Sequence, residues 1–120
     1  MKEPTREIGA RAEQSAMEYL QKQGYEILER NWRFSRAEID LIARDGDILV
    51  FVEVKYRSYD WYGPPEVSVD ADKEHMIIDA AQRYMEKIGH EWEIRFDIVS
   101  ILMAPEGKGH SLNHFKDAFF

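Results

Sequence analysis

The chain lacks cysteine altogether, and none of its apolar runs is long. Without thiols it can form neither disulfides nor thiolate zinc sites, and a reducing compartment is compatible with it. Its longest apolar run extends from Ile48 to Val52, which is far too short to span a bilayer. The segment from Met1 to Gln14 is polar and mixed in charge, unlike a signal peptide. We therefore expect a cytoplasmic protein that has no membrane partner.

Basic side chains are also in short supply. The chain has 16 lysines and arginines against 23 aspartates and glutamates, which gives a net charge of −7. Nucleic-acid-binding proteins are usually basic, so this total argues against a generic nucleic-acid binder. The distribution is more informative, because the stretch from Arg30 to Arg36 contains three arginines, two aromatic residues and no acid. A local basic surface is therefore compatible with an acidic whole.

Apolar side chains recur with helical spacing in two stretches and with strand-like spacing in several others. Helices are predicted over residues 6–23 and from a cap at Asp70 or Asp72 to Gly89. Strands are predicted over residues 25–33, 38–43, 48–55 and 92–103, and residues 110–120 form a short last strand or an irregular tail. This αβββαβ order allows a parallel crossover, so we expect an α/β fold with a mixed, twisted sheet flanked by helices. The length suits a single domain over residues 1–120.

The most informative part of the chain is a pair of apolar strands joined by the tight turn Asp45-Gly46. That turn would pair Asp40 with Phe51 and Glu38 with Glu53. Asp40 and Glu53 would then be diagonal neighbours on one face of the hairpin, with Cα atoms roughly 7–8 Å apart. We expect two carboxylates at that separation to converge on one divalent cation, which relieves their mutual repulsion.

The second strand of this hairpin is apolar until Glu53 and Lys55 interrupt it. A carboxylate and an ammonium in such a run are costly unless something pairs with them, and a metal-dependent catalytic site would explain them. Side-chain alternation directs Lys55 to the same face as Glu53, and it assigns Ala37 and Ile39 to the opposite core face. The competing interpretation is a cross-strand charge pair at the surface.

An Asp followed by Glu-x-Lys on the next strand, after an acidic helix, resembles the PD-(D/E)xK nuclease superfamily. More closely, the chain resembles the YraN family, whose members are small bacterial proteins similar to archaeal Holliday junction resolvases. The matching residues are Gly9, Ala12-Glu13, Ala16, Tyr19-Leu20, Gly24-Tyr25, 31–33, 38–43, 50–55, Arg57, Lys73, Ala80-Ala81 and 95–97. The resemblance covers nearly the whole chain and implies a restriction-endonuclease-like αβββαβ core.

The predicted catalytic residues are Asp40, Glu53, Lys55 and Glu13. Asp40 and Glu53 would hold Mg²⁺ or Mn²⁺ through oxygen, and the resolvase-like pattern implies that Glu13, on the first helix, completes this metal site. Lys55 would orient the attacking water or stabilise the charge of the transition state. The alternatives are a salt bridge from Lys55 to a nearby glutamate, and a solvated Glu13 that pairs with a basic residue of its own helix.

Five basic residues are candidate phosphate contacts beside this site: Arg30, Arg33, Arg36, Arg57 and Lys73. Each could instead form an ordinary ion pair with one of the many acids. Lys73 is unusual because a helix N-terminus disfavours a cation, which either a phosphate or a bridge to Asp70 would explain.

The aromatic loop with Tyr59, Trp61 and Tyr62 could stack on bases, pack on the second helix or form a dimer contact. His110 and His114 have no third ligand in their turn-rich segment and are interpreted as incidental, and Asp97 is interpreted as structural.

These residues favour a metal-dependent endonuclease that hydrolyses phosphodiester bonds of DNA, on branched or otherwise structured substrates. The family resemblance also implies a homodimer, since one small domain presents one site and a junction has two strands to cut. The alternative is a non-catalytic module that keeps the fold and binds nucleic acid or protein. The acidic balance of the chain favours this alternative to some extent.

Overall fold

The computed structural model describes residues 6–58, 71–103 and 110–119, which form two helices and five strands. The elements are α1 (Arg6–Lys22), β1 (Glu26–Phe34), β2 (Ala37–Asp45), β3 (Ile48–Ser58), α2 (Ala71–Ile88), β4 (Ile94–Met103) and β5 (His110–Phe115). The predicted αβββαβ order is confirmed, and residues 110–115 form a strand rather than an irregular tail. Asp70 and the aromatic loop with Tyr59, Trp61 and Tyr62 lie outside the described residues. Neither described helix combines the length and apolar character that crossing a bilayer requires.

The five strands form one mixed sheet in the order β1-β2-β3-β4-β5. β1, β2 and β3 form an antiparallel meander, β3 and β4 are parallel, and β5 returns antiparallel to β4. The parallel pair is possible because the chain between β3 and β4 includes α2 and is long enough to cross over the sheet. The mixed sheet flanked by helices that the sequence predicts is therefore confirmed.

Each helix covers one face of the sheet, and each face has its own core cluster. On one side α1 buries Ala12, Ala16 and Leu20 against the inner strands. On the other side α2 buries a stripe with helical spacing, formed by Ile77, Ala80, Ala81 and Tyr84. Since β3 is covered on both faces, it reads in the sequence as a continuous apolar run.

The pairing register predicted for the β2–β3 hairpin is wrong. Asp45 pairs with Ile48, so the two-residue loop is Gly46-Asp47. Gly46 has a φ of 62°, which suits the first loop position of a type II′ turn, and such a turn matches the twist of the strands. Ile42 therefore faces Phe51, in place of Asp40. The predicted pairing of residue 38 with residue 53 fails for the same reason.

β2 also bends away from β3 near Asp40. Its sequence alternates between apolar and polar residues from Ala37 to Leu41, yet Ile39 joins the α2-side core together with Ile42, whereas Leu41 joins the α1-side core. Pairing of β2 with β3 extends from the turn only to Leu41 and Val52. The face predicted for Ala37 and Ile39 is therefore wrong, because regular alternation breaks where the two strands diverge.

Candidate metal centre

Asp40 occupies the point at which β2 leaves β3, and its side chain replaces a missing strand contact. Asp40 Oδ2 accepts a hydrogen bond from the backbone N–H of Val54 at 2.8 Å. A backbone N–H that is buried without a partner would be costly, so this contact stabilises the divergence of the strands. It also fixes the Asp40 carboxyl group beside β3, where Glu53 lies.

Asp40 and Glu53 form a buried carboxyl pair, with exposed fractions of 8% and 7%. Burial, followed by a hydrogen bond to Glu53 and the charge of Glu53, raises the pKa of Asp40 to about 9. The N–H of Val54 acts in the opposite direction and is the weaker influence. Two carboxyls in such contact share one proton, which Asp40 holds.

Glu53 keeps its negative charge because cations surround it. Burial by itself would raise the pKa of Glu53, but the hydrogen bond from Asp40 and the ammonium groups of Lys73 and Lys55 lower it. Lys73 Nζ lies 2.7 Å from Glu53 Oε2. This contact is a close ion pair, and it places the ammonium group of Lys73 on the buried Oε2 oxygen.

The two lysines approach Glu53 from different elements. Lys55 follows Glu53 by two residues along β3, is half-buried and is near enough for its charge to act on the carboxylate. Lys73 belongs to the first turn of α2. Sequence reasoning missed Glu53 as the partner of Lys73, although the unfavourable position of a lysine at a helix N-terminus was a signal that it serves a purpose.

Glu13 reaches toward the same group of acids from α1. Burial raises its pKa, a hydrogen bond to the Asn31 side chain opposes this, and the charges of Glu38 and Glu53 raise it further. Asn31 has a φ of 52°, a left-handed value that Asn tolerates better than most residues. Sequence reasoning missed Asn31, and its only signal was an Asn within a strand, where this residue is depleted.

A small pocket with a cavity volume of about 10 Å³, the space of about one water molecule, borders the carboxyl pair. Its lining residues are Glu38, Ile39, Asp40, Phe51, Val52, Glu53, Ile77 and Phe119. Two convergent carboxyl groups, a buried Glu53 oxygen that already faces a cation and a proton held between the two acids all fit a hard divalent cation. Among the described residues, no group of three histidine or acidic side chains is close enough to hold an ion. Asp40 and Glu53 alone would hold it, with water or a phosphate completing the shell.

The predicted phosphate contacts lie in several environments. Arg30 is exposed and donates a hydrogen bond to Gln14 Oε1 at 3.1 Å, and Arg36 is exposed. Arg33 is exposed and pairs with Glu38 at 2.8 Å. Arg57 is half-buried and donates to the carbonyl of its neighbour at position 56 at 2.8 Å. Three arginines thus remain accessible from the middle of β1 to the turn that follows it, and two of them act on acids of this group, Arg30 on Glu13 and Arg33 on Glu38.

A second polar cluster lies on the α1 side of the sheet, around the fully buried Asp97. Arg95 donates hydrogen bonds to both carboxylate oxygens of Asp97, at 2.8 and 3.0 Å, and His114 Nε2 lies 2.7 Å from Asp97 Oδ2. Burial would raise the pKa of Asp97, but His114, Arg95 and the N–H of Asp117 lower it. His114 also contacts the Tyr19 hydroxyl at 3.1 Å, so interpreting His114 as incidental was wrong.

The structural role expected for Asp97 agrees with this network. Its partners come from β4, from β5 and from the turn after β5, and Arg95 additionally contacts Asp45 at 3.2 Å and the Tyr25 hydroxyl at 2.6 Å. Buried ion pairs whose polar groups are all satisfied tie elements together in this way. The Asp97 cluster therefore stabilises the packing on the α1 side of the sheet. The candidate chemistry is that of the Asp40–Glu53 pair.

The chain belongs to the uncharacterised protein family UPF0102, whose model matches residues 12–101. This is the YraN family that the motifs indicated. Relatives of similar length match nearly the whole chain. A UPF0102 protein of Flavobacterium psychrophilum is 42% identical to it, and the match covers 95% of this chain and 94% of the relative. One of Chlorobium chlorochromatii is 43% identical over 97% and 93%, and one of Syntrophus aciditrophicus is 46% identical over 92% and 87%.

The structure is also similar to that of Hjc, a Holliday junction resolvase of the archaeon Archaeoglobus fulgidus. The two are 18% identical, and the match covers 90% of this chain and 76% of the other with a TM-score of 0.48. At this TM-score the likeness establishes no function for this chain. Its chemistry has to be argued from the side chains themselves.

Proposed function

We propose that this protein is a divalent-metal-dependent endonuclease that hydrolyses phosphodiester bonds in DNA. One observation carries the proposal: two buried carboxyl groups on neighbouring strands line the same small pocket, beside two lysines. Such a group is costly for stability alone, because apolar residues of similar volume would pack there without desolvated charge. A site that exchanges its proton for a cation accounts for that cost.

Asp40 and Glu53 would hold one Mg²⁺ or Mn²⁺ ion through carboxylate oxygens. When bound, the ion would lower the pKa of a coordinated water and neutralise charge on the scissile phosphate. The contact with the Val54 N–H keeps Asp40 in one orientation, so this ligand needs no rearrangement before it binds. The pocket borders one side of the pair, where a phosphate group would approach the bound ion.

Lys55 would contact the phosphate oxygens and stabilise the negative charge that develops on them. Its ammonium group lies close enough to Glu53 to lower the pKa of that carboxyl group. Glu13 would orient a water on the α1 side of the pair, and the hydrogen bond from Asn31 would direct its carboxylate. This role requires no direct bond from Glu13 to the ion.

The accessible arginines of β1 and of the turn that follows it would hold the backbone of the DNA. Arg33 shares a surface ion pair with Glu38, and a pair of this kind is weak enough to exchange for a phosphate. Arg30 and Arg36 would extend the contact along the strand. The net charge of −7 predicts that DNA binding depends on these few residues and that its affinity falls as salt rises.

The test is cleavage of linear, flapped and four-way DNA in Mg²⁺ and in Mn²⁺. We expect the wild type to cut at least one substrate and Asp40→Asn to lose cutting by about 100-fold or more, because one of two ligands is lost. Lys87→Met, which changes an exposed residue at the far end of α2, is the control and should keep the activity. Salt-sensitive DNA binding without cleavage in either metal would favour the non-catalytic binding module.

A further inference from the structure

Lys73 is placed where two influences oppose a lysine. It lies in the first turn of α2, where the helix dipole disfavours a cation. Its ammonium group also leaves part of its hydration to reach Glu53, whose side chain is only 8% exposed. The contact with Glu53 is an observed interaction that offsets both costs.

The contact occupies the oxygen that a metal ion would use. Lys73 Nζ lies 2.7 Å from Glu53 Oε2, and Mg²⁺ binds carboxylate oxygens at about 2.0–2.1 Å. An ammonium group and a divalent cation on the same oxygen would be only a few ångströms apart in a partly buried site, where like charges repel strongly. The two cations therefore compete for Glu53.

Lys73 is also able to leave. Its side chain is 41% exposed, whereas the Glu53 side chain is 8% exposed, so the lysine has a path to solvent that leaves the core closed. Met76, on the same helix, is exposed as well, so this part of α2 faces water. The partner that moves is the lysine on the helix, and the acid on the strand stays in position.

We propose that Lys73 is a tethered counter-ion of the candidate metal centre, which neutralises Glu53 in the metal-free protein and is displaced when a divalent cation binds. This inference rests on the proposed function, and it replaces a direct phosphate contact as the resting role of Lys73. A tethered counter-ion predicts that Asp40 and Glu53 keep their positions in the metal-free protein and that the site binds metal more weakly than it would without Lys73.

The experiment compares Mn²⁺ binding and metal-free stability in the wild type, Lys73→Met and Lys87→Met, by titration calorimetry and thermal unfolding in a chelator. Each variant removes one positive charge from α2. We expect Lys73→Met to bind Mn²⁺ roughly tenfold more tightly than the wild type, since a competing charge is gone. It should also unfold at a lower temperature without metal, and Mn²⁺ should restore the loss. Lys87→Met should match the wild type in both measurements.

Lys73→Gln serves as a second variant in case Lys73→Met does not fold, because glutamine keeps a hydrogen-bond donor near Glu53 and removes the charge. Equal Mn²⁺ affinity in wild type and both Lys73 variants, with binding lost in Asp40→Asn, would overturn the counter-ion role and leave the metal centre standing. Binding by the Lys73 variants alone would support it, since Lys73 would then block the wild-type site. Absence of binding in every variant would overturn both the metal centre and the role of Lys73.

Discussion

Asp40 does two things that conflict at neutral pH. Its carboxyl group accepts the Val54 N–H and thereby fastens the end of β2, yet its burial against Glu53 disfavours the charged form. The Asp40 side chain thus holds the strand end in place, but its charged form is disfavoured beside Glu53 unless a proton or a cation is present. An Asp40 that served only to hold the strand end would not need a second carboxyl group beside it.

This conflict predicts how metal-free stability depends on pH. The pKa of Asp40 rises from 3.8 to about 9 on folding, so the folded state binds a proton that the unfolded chain releases. Its contribution is fully present below about pH 4 and is lost as the pH rises toward about 9, by up to about 1.4 kcal/mol per pH unit. Urea unfolding in a chelator between pH 5 and 9 measures it.

Asp40→Asn imitates the protonated acid, because it keeps an acceptor for Val54 and a donor for Glu53. Its unfolding free energy should therefore fall less steeply than that of the wild type across this range. Asp47→Asn, in the exposed hairpin loop, is the matched control and should follow the wild type. Identical slopes for Asp40→Asn and the wild type would show that Asp40 is charged in the folded protein.

The residue types at the site were predictable, but their partners were not. Glu53 and Lys55 interrupt an apolar strand, and that interruption is visible in the sequence. The ion pair of Lys73 with Glu53 joins residues on different elements, and the hydrogen bond of Asn31 to Glu13 depends on a left-handed backbone. Neither contact follows from a local pattern. The ligand and catalytic roles stay predictions.

At the scale of elements, the hairpin shows how a correct strand pair can have the wrong register. An Asp-Gly pair is a strong turn signal, but the residue that needs a positive φ is Gly46, and it can occupy either loop position. The bend at Asp40 was also hidden, because the sequence of β2 alternates without interruption from Ala37 to Leu41. Helix bounds and the parallel crossover depend on length and spacing, which the sequence displays directly.

The packing of α1 on β3 makes a second prediction. A Cβ at Gly9 would lie 3.0 Å from the hydroxyl oxygen of Tyr56, so this glycine permits a close approach of helix and strand. Alanine stabilises a helix interior by up to about 1 kcal/mol relative to glycine. In Gly9→Ala the crowding should cancel most of this gain, leaving a change near zero.

Tyr56→Phe removes the crowding oxygen, so alanine at position 9 should then stabilise the helix as it does elsewhere. In that background we expect Gly9→Ala to add roughly 0.5–1 kcal/mol to the unfolding free energy. A double-mutant cycle by urea unfolding measures the coupling between the two sites. The close approach would be refuted if Gly9→Ala stabilised the wild-type background by the same amount.

Over the whole molecule, one sheet carries two polar clusters with different characters. Around Asp97 every partner is supplied by the chain, whereas the Asp40–Glu53 pair borders a small pocket and depends on a shared proton and two lysines. An apolar core on each face stabilises the sheet as a whole. That stability allows the fold to tolerate one destabilising group of buried carboxyls. The expectation of a single domain over residues 1–120 stays a prediction.

Titration of Mn²⁺ into the metal-free protein, followed by calorimetry in the wild type and in Asp40→Asn, tests the central claim most directly. The account predicts one Mn²⁺ site per chain in the wild type, with release of a proton as the ion replaces it between Asp40 and Glu53. It predicts affinity at least about 100-fold weaker in Asp40→Asn, since half of the protein ligands are lost. Wild type and Asp40→Asn that bind Mn²⁺ equally, or no binding by either protein, would contradict it.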